Sequence, residues 1–226
     1  MLRKDFQELT GPVVLSLSGG MDSTVLLAEL LQTLKKEEVF PIAFDYGQKH
    51  SRELESAKII ALYYDLPLRI FTFRNFATIA PSSQTVESWK VPEGHYEDGS
   101  MKQTVVPNRN SVLLNLAAAF AISHGAAAVA YAAHAGDHAV YPDCRPIFAE
   151  RIADLFQVVD YAVLDLFAPY IDISKREIAR AGKSIGVPFQ FTWSCYNGRE
   201  KHCGKCGTCV ERKEALEGFD PTEYEL

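Results

Sequence analysis

Two hydrophobic rhythms alternate along the chain. Short, nearly unbroken apolar runs, VVLSL (13–17), VFPIAFDY (39–46), LRIFTF (68–73) and AAVAYAA (127–133), have the length and continuity of buried strands. Between and after them, STVLLAELLQTLKK (23–36), SRELESAKIIALYY (51–64), SVLLNLAAAFAISHG (111–125), PIFAERIADLFQVVDYA (146–162) and SKREIARAGKSIG (174–186) carry helical spacing. Ser174 followed by Glu177 adds a capping-box pattern to the last of these. Strand and helix in alternation predict right-handed crossovers and an α/β fold, a doubly wound, mostly parallel sheet with its ligand site beyond the carboxyl ends of the strands. Residues 74–109 show no period and are rich in turn formers, and so long a connection suits a lid or binding loop.

Composition narrows the class. A chain of 226 residues with 47% hydrophobic and 23% charged residues has enough apolar mass for one core, so one domain over 1–190 with a C-terminal extension over 191–226 is expected. The run VLLNLAAAFAI is too short to span a bilayer, and MLRKDFQEL lacks the apolar segment of a signal peptide, which predicts a cytoplasmic protein without a membrane partner. A formal net charge of −6 gives no general attraction to phosphate backbones, so a small-molecule partner is expected and a nucleic acid is not.

The first strand runs into Ser18-Gly19-Gly20, and a helix opens near Ser23 and Thr24. Such a turn aims unpaired amides and the positive helix end at one spot, which suits a phosphate or pyrophosphate. The lysine that ends a Walker A loop is absent, so transfer of a terminal phosphoryl group is not the first expectation.

A second cluster, Cys195, Cys203, Cys206 and Cys209, has the spacing Cx7CxxCxxC. Four thiolates close a tetrahedral zinc shell with no open position, the structural type of site. His202 reads as a surface neighbour of that shell, and Cys144, apart from it, as a small packed residue.

SGGMDS resembles the pyrophosphate loop of the N-type ATP pyrophosphatase (PP-loop) superfamily. Together with FDYGQKH (44–50), NRN (108–110), YPDCR (141–145) and CYNGREKHCGKCGTC (195–209), it resembles the 7-cyano-7-deazaguanine synthase family, in the family's order across nearly the whole chain. That resemblance implies an ATP-dependent ligase that adenylates 7-carboxy-7-deazaguanine and, with ammonia, makes first the amide and then the nitrile, releasing AMP and pyrophosphate. It implies ATP, Mg2+ and Zn2+ as cofactors and a homodimer. ATP would be held by Leu17, Ser18, Gly19, Gly20, Asp22, Ser23, Thr24, Asp45 and Tyr46, with Asp22 orienting magnesium or pyrophosphate, and Arg109 and Lys175 acting on carboxylate or phosphate. The acceptor would lie against Arg109, Asn110, Asp137, His138, Tyr141, Asp143 and Arg145, with Tyr141 stacking on the base and Asp143 taking its ring and amino N–H groups.

The chain departs from that pattern on the acceptor side. Asn108 stands where members carry glycine, and Ala139-Val140 stand where they carry Ser-Gly. An enzyme that stops at the amide, one that conjugates the base to another amine, and a tRNA-modifying enzyme of the superfamily remain alternatives, the last requiring a catalytic Cys144.

Overall fold

The computed structural model describes residues 6–49, 51–197 and 200–225; His50 of FDYGQKH and Gly198-Arg199 of the cysteine segment lie outside them. Five strands form the sheet: β1 (Val13–Ser16), β2 (Val39–Asp45), β3 (Arg69–Thr72), β4 (Ala128–Ala130) and β5 (Asp165–Phe167). All are parallel, in the order β3-β2-β1-β4-β5. The α-helices are α1 (Met21–Thr33), α2 (Arg52–Tyr63), α3 (Phe76–Ile79), α4 (Arg109–Ser123), α5 (Pro146–Phe156), α6 (Lys175–Ser184) and α7 (Gly207–Ala215).

Side-chain alternation along β1 divides the core in two. Val13 and Leu15 face one layer, packed with α1, α2 and α6, while Val14 faces the other, packed with α4 and α5. Both faces of the sheet are therefore covered, which is why the strands read as continuous apolar runs rather than alternating ones. Strand order reverses between β1 and β4, and a crevice opens there beyond their carboxyl ends.

Two expectations need correction. The fifth strand, Asp165–Phe167, has no counterpart among the four runs read as strands, because Asp165 interrupts the apolar residues around it, whereas the equally short β4 lies inside the unbroken run 127–133. The helix expected over 146–162 stops at Phe156, and the following segment leaves Val158 76% and Tyr161 107% exposed, so its apolar content reflects no buried face.

Residues 74–109 are packed rather than loose. Ser82, Ser83, Gln84 and Thr104 are almost fully buried, with Gln84 Nε2 donating to Thr104 O (2.7 Å) and Ser83 N to Gln103 O (2.9 Å). Gly94 N donates to Lys205 O (3.0 Å) and Glu93 bridges to Cys206, tying the segment to the cysteine extension. Asn108 ends it in the left-handed region, φ +58°, at the N-cap of α4. Asparagine tolerates that conformation better than most residues with a side chain, so Asn108 can hold this turn without a glycine.

The extension is closed by Arg212, which is fully buried and donates to Phe189 O (2.9 Å), Thr192 Oγ1 (2.8 Å) and Thr222 Oγ1 (2.7 Å).

At Gly19 (φ +86°) an added Cβ would lie 2.1 Å from Glu53 O and 2.8 Å from Ala57 N, both in the backbone of α2. Gly19→Ala combines an unfavourable φ with a clash that no side chain can relieve, and it is expected to lower the unfolding free energy by about 2 kcal/mol or more, read from the urea midpoint.

Candidate functional site

The turn after β1 forms the floor of a cleft of about 240 Å³. Leu17 N makes the last sheet bond, to Ile42 O (2.8 Å), after which the chain leaves the sheet. Gly20 is the N-cap of α1 and contributes no side-chain cap, so the opening amides of that helix are not claimed by a capping side chain and face the crevice side. Ser18 Oγ accepts from Gly20 N (3.2 Å) and lies 3.0 Å from Ser23 Oγ. Leu17, Ser18, Gly20, Asp22 and Ser23 line the cleft. Thr24 does not: it is fully buried and its hydroxyl donates to Gly20 O (2.7 Å), bracing the turn from behind.

Five charged or titratable side chains meet at one end of the cleft. Lys175 Nζ lies 3.1 Å from Asp22 Oδ2 and 2.8 Å from Glu211 Oε2. His134 Nε2 lies 3.5 Å from Asp137 Oδ2 and 3.8 Å from Asp22 Oδ2. Gly136 N donates to His134 Nδ1 (3.1 Å), which sets the neutral ring's proton on Nε2 and turns it toward the carboxylates. Burial of Lys175 works against its charge, but Asp22 and then Glu211 outweigh it and hold the ammonium well above its ordinary value. Asp22 Oδ1 is buried and has no hydrogen-bond partner among the described residues, a vacancy that fits a cation such as magnesium.

The rest of the lining includes Tyr46, Arg109, Asn110, Tyr131 and Tyr196. Arg109 Nη1 donates to Tyr46 OH (3.4 Å) and Nε to Asn110 Oδ1 (3.1 Å). Burial pushes Tyr46 up to about 12, so it stays a neutral phenol, while Arg109 remains charged despite its own burial because Tyr46 and Asp143 favour the guanidinium. Asp45 turns away to Arg74, whose Nη2 lies 2.7 Å from its Oδ2.

Of the loop after β4, Tyr141 OH sits between Thr104 Oγ1 (2.6 Å) and Tyr196 OH (3.2 Å), beside a small side cavity of about 20 Å³. Asp143 Oδ2 accepts from Asn110 N (3.3 Å) and its carbonyl from Tyr131 OH (3.4 Å); its Oδ1 is buried without a partner among the described residues, as is His138 Nε2. Arg145 is exposed and donates to His138 O (2.9 Å). Among these, the cleft lining includes Asp137 but not His138, Tyr141, Asp143 or Arg145. Cys144 lines the cleft, and burial pushes its thiol well above the ordinary value, so it does not form a ready nucleophile.

His134, Glu211, Tyr131, Tyr196 and Trp193 complete the surroundings and were not singled out in the sequence. Tyr131 carried a signal, its place at the end of the fourth apolar run. Glu211 carried none, since CVERKEA reads as a solvated helix face.

The sulfur ligand atoms of Cys195, Cys203, Cys206 and Cys209 all lie within 4.8 Å of one another, and the four residues are buried. Cys203 Sγ and Cys209 Sγ are 3.9 Å apart, close to the roughly 3.8 Å edge of a tetrahedron with a metal–sulfur bond of about 2.3 Å. Backbone N–H groups point at sulfur, Cys203 N to Cys195 Sγ (3.3 Å) and Cys206 N to Cys203 Sγ (3.4 Å), an environment that favours thiolate. Mutual hydrogen bonding among the four sulfurs lowers Cys203 and Cys206 and raises Cys195 and Cys209, so in the absence of a cation the cluster shares its protons unevenly. The four cysteines could therefore hold a metal ion. His202 is no surface neighbour: it is 5% exposed, stacks near Trp193 and accepts from Ser194 N through Nε2 (3.2 Å), and burial lowers it to about 4.

A doubly wound parallel sheet with a glycine turn after its first strand and a charged crevice at the reversal of strand order makes this an α/β protein whose ligand site lies at that crevice. A family model described as queuosine biosynthesis protein QueC matches residues 12–220, and the chain belongs to that family. It is 52% identical to the 7-cyano-7-deazaguanine synthase of Caldicellulosiruptor bescii over 216 residues, covering 94% of this chain and 97% of that one. It is 46% identical to the 7-cyano-7-deazaguanine synthase of Hahella chejuensis over 223 residues, covering 99% and 96%. Among solved structures it is similar to the NH3-dependent NAD synthetase of Campylobacter jejuni, with a TM-score of 0.48, 17% identity, and coverage of 80% of this chain and 66% of that one. No helix of the described residues is long and apolar enough to cross a membrane.

Elemental analysis of the purified protein is expected to find about one metal ion per chain in the four-cysteine site. Cys206→Ser should lose that ion and loosen α7, seen as faster proteolysis beyond residue 190.

Proposed function

We propose that this chain is an ATP-dependent ligase that converts 7-carboxy-7-deazaguanine into 7-cyano-7-deazaguanine with ammonia as nitrogen donor. One observation carries the reading. The family's glycine turn opens onto a cleft where Lys175 and the half-unpartnered carboxylate of Asp22 stand beside helix amides without a side-chain cap. The names of the relatives supply the substrate class.

A carboxylate resists ammonia until one oxygen becomes a good leaving group. Here a carboxylate oxygen of the base attacks the α-phosphorus of ATP and pyrophosphate leaves. Ser18, Gly20, Ser23 and the first amides of α1 receive the departing charge, and Lys175 balances it. Asp22 Oδ1 would hold a magnesium ion, which would supply further positive charge to the phosphates. Arg109 orients the acceptor carboxylate through its planar fork. Ammonia then attacks the carbonyl carbon, AMP leaves with its oxygen, the new nitrogen releases a proton to solvent and the amide forms. The amide oxygen attacks a second ATP, pyrophosphate departs again, and loss of AMP and a proton leaves the nitrile. In this reading zinc fills the four-cysteine site as a structural ion and takes no part in these steps.

Mass spectrometry of the products from wild-type enzyme, ATP, magnesium, ammonia and 7-carboxy-7-deazaguanine tests this reading. The nitrile with AMP and pyrophosphate is expected, amide alone after long incubation with excess ATP would establish the amide-stopping alternative, and ADP with orthophosphate would overturn the proposal. Asp22→Ala should abolish AMP release while its circular dichroism spectrum stays that of the wild type. Cys144→Ser should keep full activity, separating this chemistry from one that needs a catalytic thiol.

A further inference from the structure

Glu211 belongs to the cysteine extension, two residues past Cys209 on α7, yet its carboxylate reaches the nucleotide end of the cleft. It is 6% exposed, and its Oε2 accepts from Lys175 Nζ at 2.8 Å, closer than the 3.1 Å between that nitrogen and Asp22 Oδ2. The contact joins the first turn of α6 to α7. Thr208, on the turn of α7 before Glu211, donates to Ser194 O (2.8 Å), so the same helix also fixes a second part of the cleft wall.

An ammonium has three N–H donors. Asp22 and Glu211 take two of them; His134 Nε2 lies 3.3 Å from the same nitrogen, but because its Nδ1 accepts from Gly136 N the ring proton sits on Nε2, which then takes no hydrogen from the lysine. Without Glu211 the lysine would have Asp22 as its only carboxylate among these contacts and would be drawn onto it, competing for the oxygen that has no partner. Glu211 thus keeps the ammonium shared between two acids. One hydrogen is left for an incoming anion and one oxygen of Asp22 for a cation.

We infer that Glu211 is a positioning residue, delivered by the cysteine-held helix, that sets Lys175 for the phosphates of ATP. This rests on the nucleotide assignment made above. The expected effect is on nucleotide affinity, and it passes entirely through Lys175.

The test is isothermal titration of the full, metal-loaded chain with ATP and magnesium in the absence of acceptor, for wild type, Glu211→Gln, Lys175→Met and the double variant. Glu211→Gln should weaken ATP binding about ten- to a hundredfold, the range for a hydrogen bond to a charged group. The double variant should bind no more weakly than Lys175→Met alone, a non-additivity that a purely structural residue would not produce. Glu211→Asp, which keeps the charge but shortens the reach, should retain metal and fold and still bind ATP less tightly. Wild-type affinity in Glu211→Gln, multiplied losses in the double variant, or loss of the bound metal from both Glu211 variants would overturn the role of Glu211 alone. Wild-type protein with no affinity for ATP would overturn the function and this role together.

Discussion

A lysine withdrawn from water must be matched by carboxylates, and the matching of Lys175 organises this molecule. Its partners come from α1, through Asp22, and from α7, through Glu211, while it sits itself at the first position of α6. Three helices separated by long stretches of sequence therefore converge on a single nitrogen. Breaking one side of such a buried pair leaves a charge without compensation, which costs about 3–5 kcal/mol and far exceeds the value of a surface ion pair. The arrangement is tolerable because every member is bonded, apart from the one oxygen of Asp22 left open toward the cleft.

The cysteine cluster looks peripheral in sequence and is central in space. Its four sulfurs shape the chain between residues 195 and 209. The helix that leaves the cluster contributes Thr208 to the cleft and Glu211 to the side cavity next to it, and the segment leading into the cluster contributes Trp193, Ser194 and Tyr196 to the cleft. The long connection before α4 leans on the cluster as well, through Gly94 and Glu93. A cleft built at the end of a sheet is open on one side, and here the extension supplies the missing wall.

Much of this architecture was legible in the sequence because periodicity and backbone chemistry act locally. Four of the strands announce themselves as apolar runs, the capping box at Ser174 forms as its residues suggest, with Ser174 Oγ accepting from Glu177 N (3.4 Å), and the SGGMDS turn lies where strand gives way to helix. What stayed hidden depends on contacts between distant segments. Glu211 reads as one more acid on a charged helix until α7 docks, and His202 reads as surface until Trp193 and Tyr224 enclose it. Asp45 and Thr24 show the reverse: both sit in suggestive motifs, and local bonding turns Asp45 to Arg74 and Thr24 to Gly20. Strand β5 gives no clear apolar run because Asp165 breaks it.

The buried guanidinium of Arg212 has a bearing on the order in which the nascent polypeptide matures. One of its donors, Nε, bonds to Thr222 Oγ1, and the neighbouring His202 pairs with the segment around Tyr224. A growing chain can lay down the parallel sheet and both helical layers as they emerge, since domains generally fold from the amino-terminal side during synthesis. Arg212 follows Glu211 on α7, so the helix that carries the partner of Lys175 gains this last hydrogen bond only once residue 222 has been added.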